Sequence, residues 1–291
     1  MGHTENVFIE LVEWFARNGR PLPWREPDTS PWAILVCEVM SQQTPVARVL
    51  PAWEEWMKRW PTPRDLAEAS PSEVLIAWGN LGYPRRALRL RECGGVVAKE
   101  YGNQLPRERE KLLTLPGIGP YTADAIIAFA YRERSVVLDT NIRRVLARAL
   151  AGEELPPESL RKAEVARAEE LVPDDGELAA QWNAAVMELG ALVCTAKNPK
   201  CKLCPIAEEC QWLQHGRPAN AAPRKAQGFE GTHRQARGKI MAALRKTPTG
   251  LSRTELVAES GLSEVRFAPA LESLLEDGLA QTHRGRVTLP G

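Results

Sequence analysis

The 291-residue chain is 44% hydrophobic and 26% charged, a balance that lets it bury a core and excludes disorder throughout. No apolar run reaches the ~18 residues of a membrane span. The N-terminus lacks the basic and apolar segments of a secretory signal, so we expect a cytoplasmic protein that does not contact membranes. The net charge of +1 excludes a uniformly basic nucleic-acid coat. The charge is unevenly distributed, however: residues 211–291 hold 12 Lys and Arg against 7 Asp and Glu, whereas the rest of the chain holds 26 against 30. A basic C-terminal part therefore follows a mildly acidic body.

Helical patterns dominate the chain as far as residue 192. Residues 34–40 are apolar apart from Glu38, which predicts a buried helix carrying one carboxylate. In residues 44–60, apolar side chains at three- and four-residue spacing predict an amphipathic helix. Further helices, separated by Pro, Gly and Asp, are predicted at 72–78 with Ser72 as the N-cap, and at 84–100, 120–131, 141–150, 158–172 and 177–192.

The C-terminal part of the chain has a different organisation. Small, polar, Pro and Gly residues at 215–232 predict a linker. Three helices follow in the pattern, at 234–247, 252–260 and 263–277, and then a β-hairpin at 280–289 that turns at Gly285. This order is typical of a winged-helix module, so we expect a small winged-helix-like domain at 233–291.

The segment LLTLPGIGPYTA at 112–123 predicts a hairpin between two helices. Pro120 suits a first helical position, because it lacks the N–H that would be unpaired there. Gly117 and Gly119 let the backbone approach a ligand, and the exposed amides of a helix N-terminus favour an anion such as a DNA phosphate. A Gly-rich turn without a ligand is the plainer interpretation, but the complete string from Leu115 is the helix-hairpin-helix signature.

The cysteines indicate a metal site. Four of the six fall within seventeen residues, with intervening gaps of six, two and five residues: Cys194, Cys201, Cys204 and Cys210. Four thiolates can hold zinc or an iron–sulfur cluster, and the single C-x-x-C pair is unlike the two pairs usual in a zinc ribbon. Disulfides are not expected in an intracellular chain. The dispersed Cys37 and Cys93 are predicted to be buried thiols.

The string from Leu115 resembles the helix-hairpin-helix DNA glycosylases, whose signature continues to an aspartate about twenty residues further on. Here that residue is Asp139, in VVLDTNIRR. The segments LPWR at 22–25 and EVMSQQT at 38–44 are similar to those of the MutY-type adenine glycosylases of that superfamily. The resemblance covers residues 7–213.

The resemblance implies an all-α, two-lobed helix-hairpin-helix glycosylase fold with an iron–sulfur loop. Its cluster-containing lobe comprises 1–29 and 133–214, and its six-helix barrel lobe comprises 30–132. The cysteine spacing matches the [4Fe–4S] loop of endonuclease III and of MutY, which implies a [4Fe–4S] cluster on the four clustered cysteines. Nearby Lys197, Lys200 and Lys202 are candidates for contacts with the DNA backbone or for a solvated surface.

Excision of a base from DNA requires a flipped base and cleavage of the C1′–N bond. By analogy with glycoside hydrolysis, a carboxylate near C1′ stabilises the developing positive charge, and a general acid improves a purine leaving group. Burial favours the protonated form of Glu38, whereas a helix N-terminus should keep Asp139 ionised. The plainer interpretations are a core glutamate and an N-cap.

The resemblance assigns roles to further residues. It implies that Glu38 protonates adenine at N7 and that Asp139 stabilises the cationic sugar. Among the others, Tyr121 assists at the reaction centre, Asn141 hydrogen-bonds the aspartate, Arg25 and Glu188 contact the flipped adenine, Gln42 and Gln43 wedge beside the opposing base, and Leu115, Gly117 and Gly119 bind DNA.

The function implied is excision of adenine opposite 8-oxoguanine or guanine from double-stranded DNA, by a monomer associated with the nucleoid. Tyr121 stands where endonuclease III has a Schiff-base lysine, which predicts a glycosylase that does not cleave the strand. The C-terminal residues do not resemble the Nudix-like domain with which MutY proteins recognise 8-oxoguanine. Two alternatives stay open: a thymine or uracil mismatch glycosylase, and a noncatalytic iron–sulfur DNA-binding module.

Overall fold

The computed structural model describes residues 3–219 and 228–291 and is predominantly helical, which confirms the predicted class. In the described residues the α-helices are α1 (His3–Asn18), α2 (Pro31–Ser41), α3 (Val46–Arg59), α4 (Pro63–Glu68), α5 (Pro71–Trp78), α6 (Arg85–Glu100), α7 (Arg109–Thr114), α8 (Pro120–Tyr131), α9 (Thr140–Ala151), α10 (Lys162–Leu171), α11 (Gly176–Leu192), α12 (Gln211–Gln214), α13 (His233–Lys246), α14 (Arg253–Ser260) and α15 (Glu264–Glu276). The strands are β1 (Leu251–Ser252), β2 (Gln281–His283) and β3 (Arg286–Thr288). None of the helices in these ranges combines the length and apolarity that a membrane crossing requires.

Local sequence signals account for most helix boundaries, with two corrections. The N-cap of α5 is Ser70 and not Ser72, because the Ser70 hydroxyl accepts a hydrogen bond from the Glu73 N–H while the Glu73 carboxylate accepts one from the Ser70 N–H. Helix α10 begins at Lys162, four residues after the predicted start. Part of the predicted linker, residues 220–227, lies outside the described residues.

The chain divides into two compact units, which interleave in sequence. Unit 1 comprises residues 1–34, 107–113 and 118–224. Its core brings together α1, α8, α9 and α11, and fully buried residues of α11 such as Val186 and Leu189 lie at its centre. Unit 1 therefore contains the aspartate at the start of α9 and all four clustered cysteines.

Unit 2 comprises residues 35–106, 114–117 and 225–291. Trp56 of α3 is buried and makes edge-to-face contacts with Trp60 and Trp78, at centroid distances of 5.0 and 5.4 Å. A second core of unit 2 joins Leu75 of α5 to the buried side chains of the C-terminal helices. The C-terminal residues thus pack in one unit with residues 35–106.

The C-terminal module has the expected winged-helix-like order, α13 to α15 followed by a β-hairpin. The strand β1, which the sequence pattern did not predict, adds a third strand, so that the antiparallel order is β1-β3-β2. Two residues are too few to show alternation, which explains why the pattern missed it. Gly250 makes the close approach possible: its φ is +79°, and a Cβ there would lie 2.7 Å from the Val287 carbonyl oxygen.

Candidate active site

Asp139 lies at the N-terminus of α9 with both carboxylate oxygens engaged. Its Oδ1 accepts a hydrogen bond from the Ile142 N–H at 2.6 Å, which makes it the N-cap of the helix. Its Oδ2 accepts one from the Asn141 side-chain amide at 2.7 Å, as the resemblance implied for this pair. The cap and the amide together hold the carboxylate in one orientation.

The protonation of Asp139 is set by two opposing effects. Burial raises the pKa of the carboxyl group above its usual value, whereas the hydrogen bonds from Ile142 and Asn141 act to lower it. The net direction of the pKa is upward, because burial outweighs the hydrogen bonds. A carboxylate in this setting is poorly solvated, so its charge is held by hydrogen bonds and is little screened by water.

Arg144, a buried residue of α9, links the aspartate's partner to the cysteine loop. Its Nη2 donates to Asn141 Oδ1 at 2.9 Å and to the Gly190 carbonyl at 2.6 Å, and its Nε donates to the Cys194 carbonyl at 2.7 Å. Gly190 permits this packing, because a Cβ there would lie 2.7 Å from the Asn141 Cβ. Sequence reasoning missed Arg144, since its partners lie up to fifty residues away.

Glu188 of α11 is fully buried and neutralises two arginines. The Arg20 backbone N–H and Nε donate to its Oε1 at 2.9 and 2.7 Å. Arg20 Nη2 and Arg25 Nη2 donate to its Oε2, both at 2.8 Å. Burial acts to raise the pKa of Glu188, but these hydrogen bonds outweigh it and lower the value to about 2. Both oxygens are therefore occupied by guanidinium groups, and Arg20 is a site residue that sequence reasoning did not find.

This depressed pKa predicts a measurable dependence of stability on pH. The ionised carboxylate stabilises the folded state above the ordinary pKa of about 4.5, and that contribution is lost as the pH falls toward about 2. Between pH 5.5 and 3, the free energy of unfolding of the wild type should fall by on the order of 2 kcal/mol more than that of Glu188→Gln. Urea unfolding at several pH values in this range measures the difference, and the exposed substitution Glu13→Gln is the control. If the free energies of unfolding of wild type and E188Q changed in parallel with pH, the prediction would be contradicted.

Tyr121 lies in the first turn of α8 and lines a cavity of about 410 Å³ within unit 1. The same cavity is lined by Leu138, which precedes the candidate aspartate, and by the ion pair of Arg109 with Asp124, whose Nε–Oδ1 distance is 2.6 Å. The aromatic body of Tyr121 also packs against the core of unit 1.

The predicted hairpin connects α7 to α8 and presents its backbone outward. Gly117 is exposed with a φ of +81°, and a Cβ there would lie 3.1 Å from the Arg89 Cβ, so glycine is required at this position. Gly119 is the N-cap of α8, and among the described residues no side chain caps that helix end. The Leu115 side chain is buried, which leaves only its backbone for contact with DNA. The geometry suits an anion at the N-terminus of α8.

Glu38 is half-buried on α2 in unit 2, among the buried side chains that the sequence pattern predicted. Gln42 and Gln43 follow the end of this helix, and Gln43 is exposed with a φ of +57°. Arg86 holds this region together: it donates to the carbonyls of Val39, at the end of α2, and of Leu81. Sequence reasoning did not single out Arg86.

The four clustered cysteines line one cavity in unit 1, together with Arg148. Arg148 Nη1 donates to the Cys194 sulfur at 3.4 Å, and burial raises the pKa of Cys204 to about 12. In residues 3–219 and 228–291, no three His, Cys, Asp or Glu side chains are placed to hold a single metal ion. Four thiols around one cavity, next to a guanidinium that favours anionic sulfur, form a donor set that fits an iron–sulfur cluster. Lys197, Lys200 and Lys202 are exposed on the surrounding loop.

Comparison with known proteins places the chain in one superfamily. Residues 36–170 match the family described as HhH-GPD superfamily base excision DNA repair protein. The chain is 48% identical over 284 residues to the adenine DNA glycosylase of Mycolicibacterium smegmatis, covering 97% of this chain and 96% of that protein.

Solved structures agree in fold. A thermostable thymine-DNA glycosylase superposes with a TM-score of 0.65 at 27% identity, covering 73% of this chain and 97% of that one. A trapped endonuclease III–DNA covalent intermediate superposes with a TM-score of 0.62 at 21% identity, covering 75% and 100%. The chain therefore belongs to the HhH-GPD superfamily of base excision DNA repair proteins. Within that superfamily it is a DNA glycosylase of the MutY type, and the predicted resemblance is confirmed. Glycosylases of this superfamily commonly carry a [4Fe–4S] cluster.

Proposed function

We propose that this glycosylase removes adenine paired with 8-oxoguanine or guanine in double-stranded DNA, by hydrolysis of the N-glycosidic bond. The observation that carries the proposal is the orientation of Asp139 by Ile142 and Asn141, in a chain 48% identical to an adenine DNA glycosylase. A carboxylate held in this way is prepared to stabilise positive charge, because its hydrogen bonds do not need to reorganise during the reaction.

The reaction divides between two carboxyl groups. The protonated Glu38 donates its proton to N7 of the flipped adenine, which makes the base a better leaving group. The C1′–N9 bond then breaks and leaves its electron pair on the base. Asp139 stabilises the resulting oxocarbenium ion at C1′ until a water molecule adds there and loses a proton. Tyr121 lies at the reaction centre, and since it is not an amine it forms no Schiff base with the sugar.

The base pocket uses the charge network around Glu188. Because the glutamate's oxygens are already bonded to Arg20 and Arg25, it acts on adenine through Arg25, whose position it determines. The backbone of the hairpin at Leu115, Gly117 and Gly119, with Lys197 and Lys200, contacts DNA phosphates. Gln42 and Gln43 occupy the space beside the opposing base. The enzyme acts as a monomer.

Cys194, Cys201, Cys204 and Cys210 hold a [4Fe–4S] cluster in this proposal. The four cysteines would hold the cluster as thiolates, and its iron would then cross-link the loop that carries the three lysines. Two arginines position Cys194: Arg148 donates a hydrogen bond to its sulfur, and Arg144 donates one to its backbone carbonyl.

The proposed cluster should give the purified protein a characteristic colour and iron content. We expect it to be brown, with a broad absorbance band in the blue and about four irons and four acid-labile sulfides per chain. Cys201→Ser should lose the colour, whereas Cys93→Ala, a change at a buried cysteine of unit 2, should keep it. A colourless preparation containing zinc would overturn the assignment.

The function is tested by single-turnover excision from four duplexes carrying A:8-oxoguanine, A:G, T:G or U:G. Release of adenine from the first two, without strand cleavage until heat or alkali is applied, supports the proposal. A thymine or uracil glycosylase is the second candidate, favoured by the superposition on the thymine-DNA glycosylase. Release of thymine or uracil alone would establish that candidate, and no release from any duplex would favour a noncatalytic DNA-binding module.

Glu38→Gln is expected to slow adenine release at least about 10²-fold under single-turnover conditions, because the amide cannot donate the proton that N7 needs. Glu54→Gln, an exposed change on the neighbouring helix α3, serves as the control and should excise at the wild-type rate. Excision by E38Q within a few-fold of wild type would show that Glu38 is not the essential acid.

A further inference from the structure

A basic groove of about 860 Å³ lies entirely within unit 2. One wall is α13 from His233 to Arg245, and the other is the loop at residues 79–84 with Gln43 and Arg48 beside it. Its lining includes six basic side chains, Arg48, His233, Arg234, Arg237, Lys239 and Arg245, and no Asp or Glu among the residues that the structure describes. We call this feature the α13 groove.

Two exposed aromatic rings border the α13 groove and are connected by an arginine. Arg234 Nη1 donates to the Tyr83 hydroxyl at 2.9 Å, and its guanidinium lies 5.1 Å from the centroid of the Phe229 ring. Tyr83 and Phe229 are 46% and 49% exposed, an unusual exposure for large aromatic side chains. An arginine between two exposed rings forms a surface on which a nucleic-acid base can stack.

The loop side of the groove carries backbone strain. Tyr83 and Gln43 both adopt left-handed conformations, with φ of +46° and +57°, which non-glycine residues rarely do. Arg86 stabilises the loop by donating to the Leu81 and Gly82 carbonyls. Strain that the surrounding structure maintains is concentrated at ligand sites, so the exposed side chains of this loop point to binding.

Five of the six basic side chains of the groove fall into two groups, and the sixth, His233, is exposed with its ring Nε2 3.3 Å from the Pro269 carbonyl oxygen. Arg237 is paired with Asp277 at 2.6 Å, and Arg245 donates to the Leu75 carbonyl at 3.1 Å, so both have structural roles. Lys239 and Arg48, in contrast, are exposed, and Arg234 is exposed next to Tyr83. A groove with exposed cations, no acidic lining and aromatic rings matches a phosphodiester backbone with an unstacked base, because phosphates pair with the cations and any base stacks on a ring.

We propose that the α13 groove binds one strand of the substrate duplex, with the phosphates contacting Arg234 and Lys239 of the winged-helix-like module. An unpaired base of that strand, such as the base left without its partner when adenine is flipped, stacks against the exposed ring of Phe229. The module thereby becomes part of the DNA-binding surface of unit 2. This inference rests on the proposed action on duplex DNA, and it assigns a role to the basic C-terminal residues that the reaction itself does not use.

The first experiment measures the DNA affinity of the 291-residue, cluster-containing protein by fluorescence anisotropy at several salt concentrations. The duplex carries 8-oxoguanine opposite a hydrolysis-resistant 2′-fluoro-2′-deoxyadenosine. The variants are Lys239→Ala and the double variant R234A/K239A. Lys246→Ala is the matched control, since Lys246 is also an exposed lysine of α13 but does not line the groove.

We expect the double variant to bind about tenfold more weakly at low salt. The slope of log affinity against log salt should fall by about 0.9 for each phosphate that the protein no longer neutralises, thus by about 0.9 in K239A and by about 1.8 in the double variant. K246A should match wild type in both. Unchanged affinity and slope in K239A and the double variant overturn the proposal, and binding of polyglutamate that R234A/K239A abolishes would then assign the groove to an acidic protein segment.

The second experiment places a photo-crosslinking phenylalanine analogue at position 229. Cross-links to the strand opposite adenine support the proposal, and an absence of cross-links to either strand contradicts it. The two experiments do not depend on base removal. If the wild type releases no adenine yet the double variant binds duplex more weakly, the proposed substrate is wrong and the proposed role of the groove is supported. If adenine is released and the groove variants bind normally, only the proposed role of the groove is wrong.

Discussion

Asp139→Asn is expected to reduce adenine excision at least about 10³-fold while leaving duplex binding within a few-fold of wild type. Asparagine can still accept the Ile142 N–H hydrogen bond, because its side-chain oxygen also serves as an N-cap. Helix α9 should therefore form normally, and the reduced rate isolates the negative charge that the oxocarbenium ion requires. The measurement is single-turnover excision from an A:8-oxoguanine duplex, alongside anisotropy with the same duplex.

The chain provides a matched control for this substitution. Asp175 caps α11 in the same unit, where its Oδ1 accepts the Leu178 N–H at 2.9 Å. Asp175→Asn changes an N-cap aspartate in the same way and should leave excision unchanged. If D139N turned over like D175N, Asp139 would have only a capping role, and the two-carboxylate mechanism would have to be abandoned.

Arg144→Met is expected to lower both stability and activity. The substitution keeps most of the side-chain volume but removes the donors to the Cys194 and Gly190 carbonyls and to Asn141 Oδ1. Leaving buried acceptors unpaired should reduce the free energy of unfolding by about 3 kcal/mol. Excision should fall at least about tenfold, because Asn141 is then free to turn its amide away from Asp139. Urea unfolding and the excision rate measure these two effects, and the absorbance of the cluster shows whether the loss of the Cys194 contact also disturbs the cysteine loop.

The neighbouring substitution Arg143→Met distinguishes loss of the Asn141–Arg144–Cys194 connection from general destabilisation. Arg143 forms an ion pair with Glu164 at 2.8 Å and donates to the Pro157 carbonyl at 2.8 Å, without a hydrogen bond to Asn141 or the cysteine loop among the described residues. R143M should therefore be less stable but retain the excision rate and the colour of the folded protein. Equally reduced excision in R143M and R144M would mean that the Asn141–Arg144–Cys194 connection has no specific role.

Several parts of this site follow from local sequence. Asp139 and Asn141 are two residues apart at a helix start, so capping geometry alone brings the amide to the carboxylate. The hairpin glycines and Pro120 are likewise determined by the conformations that a turn and a first helical residue require. The N-cap of α5 lies two residues before the predicted Ser72, because Ser70 and Ser72 both suit a cap and only the Glu73 contact distinguishes them.

The partners of the buried charges could not be predicted in this way. Arg20 and Glu188 are 168 residues apart, and nothing in the local pattern around either residue identifies the other. The same holds for Arg86, whose carbonyl partners come from two separate segments. A hydrogen bond between distant segments depends on the packing of whole helices, which no short sequence window records.

The sequence by itself determined most of the helices, the cysteine spacing and the surplus of basic residues after position 210, since each is a property of neighbouring residues. Which groups lie next to those basic side chains was decided only by the tertiary structure. Packing of Leu75 against the C-terminal core brings α13 opposite the loop that carries Tyr83, and Asp277 of the module pairs with Arg237 but does not itself line the groove. A net charge of +1 is a sum over the chain, whereas the potential that a phosphate experiences depends on which charges are brought within a few ångströms of one another.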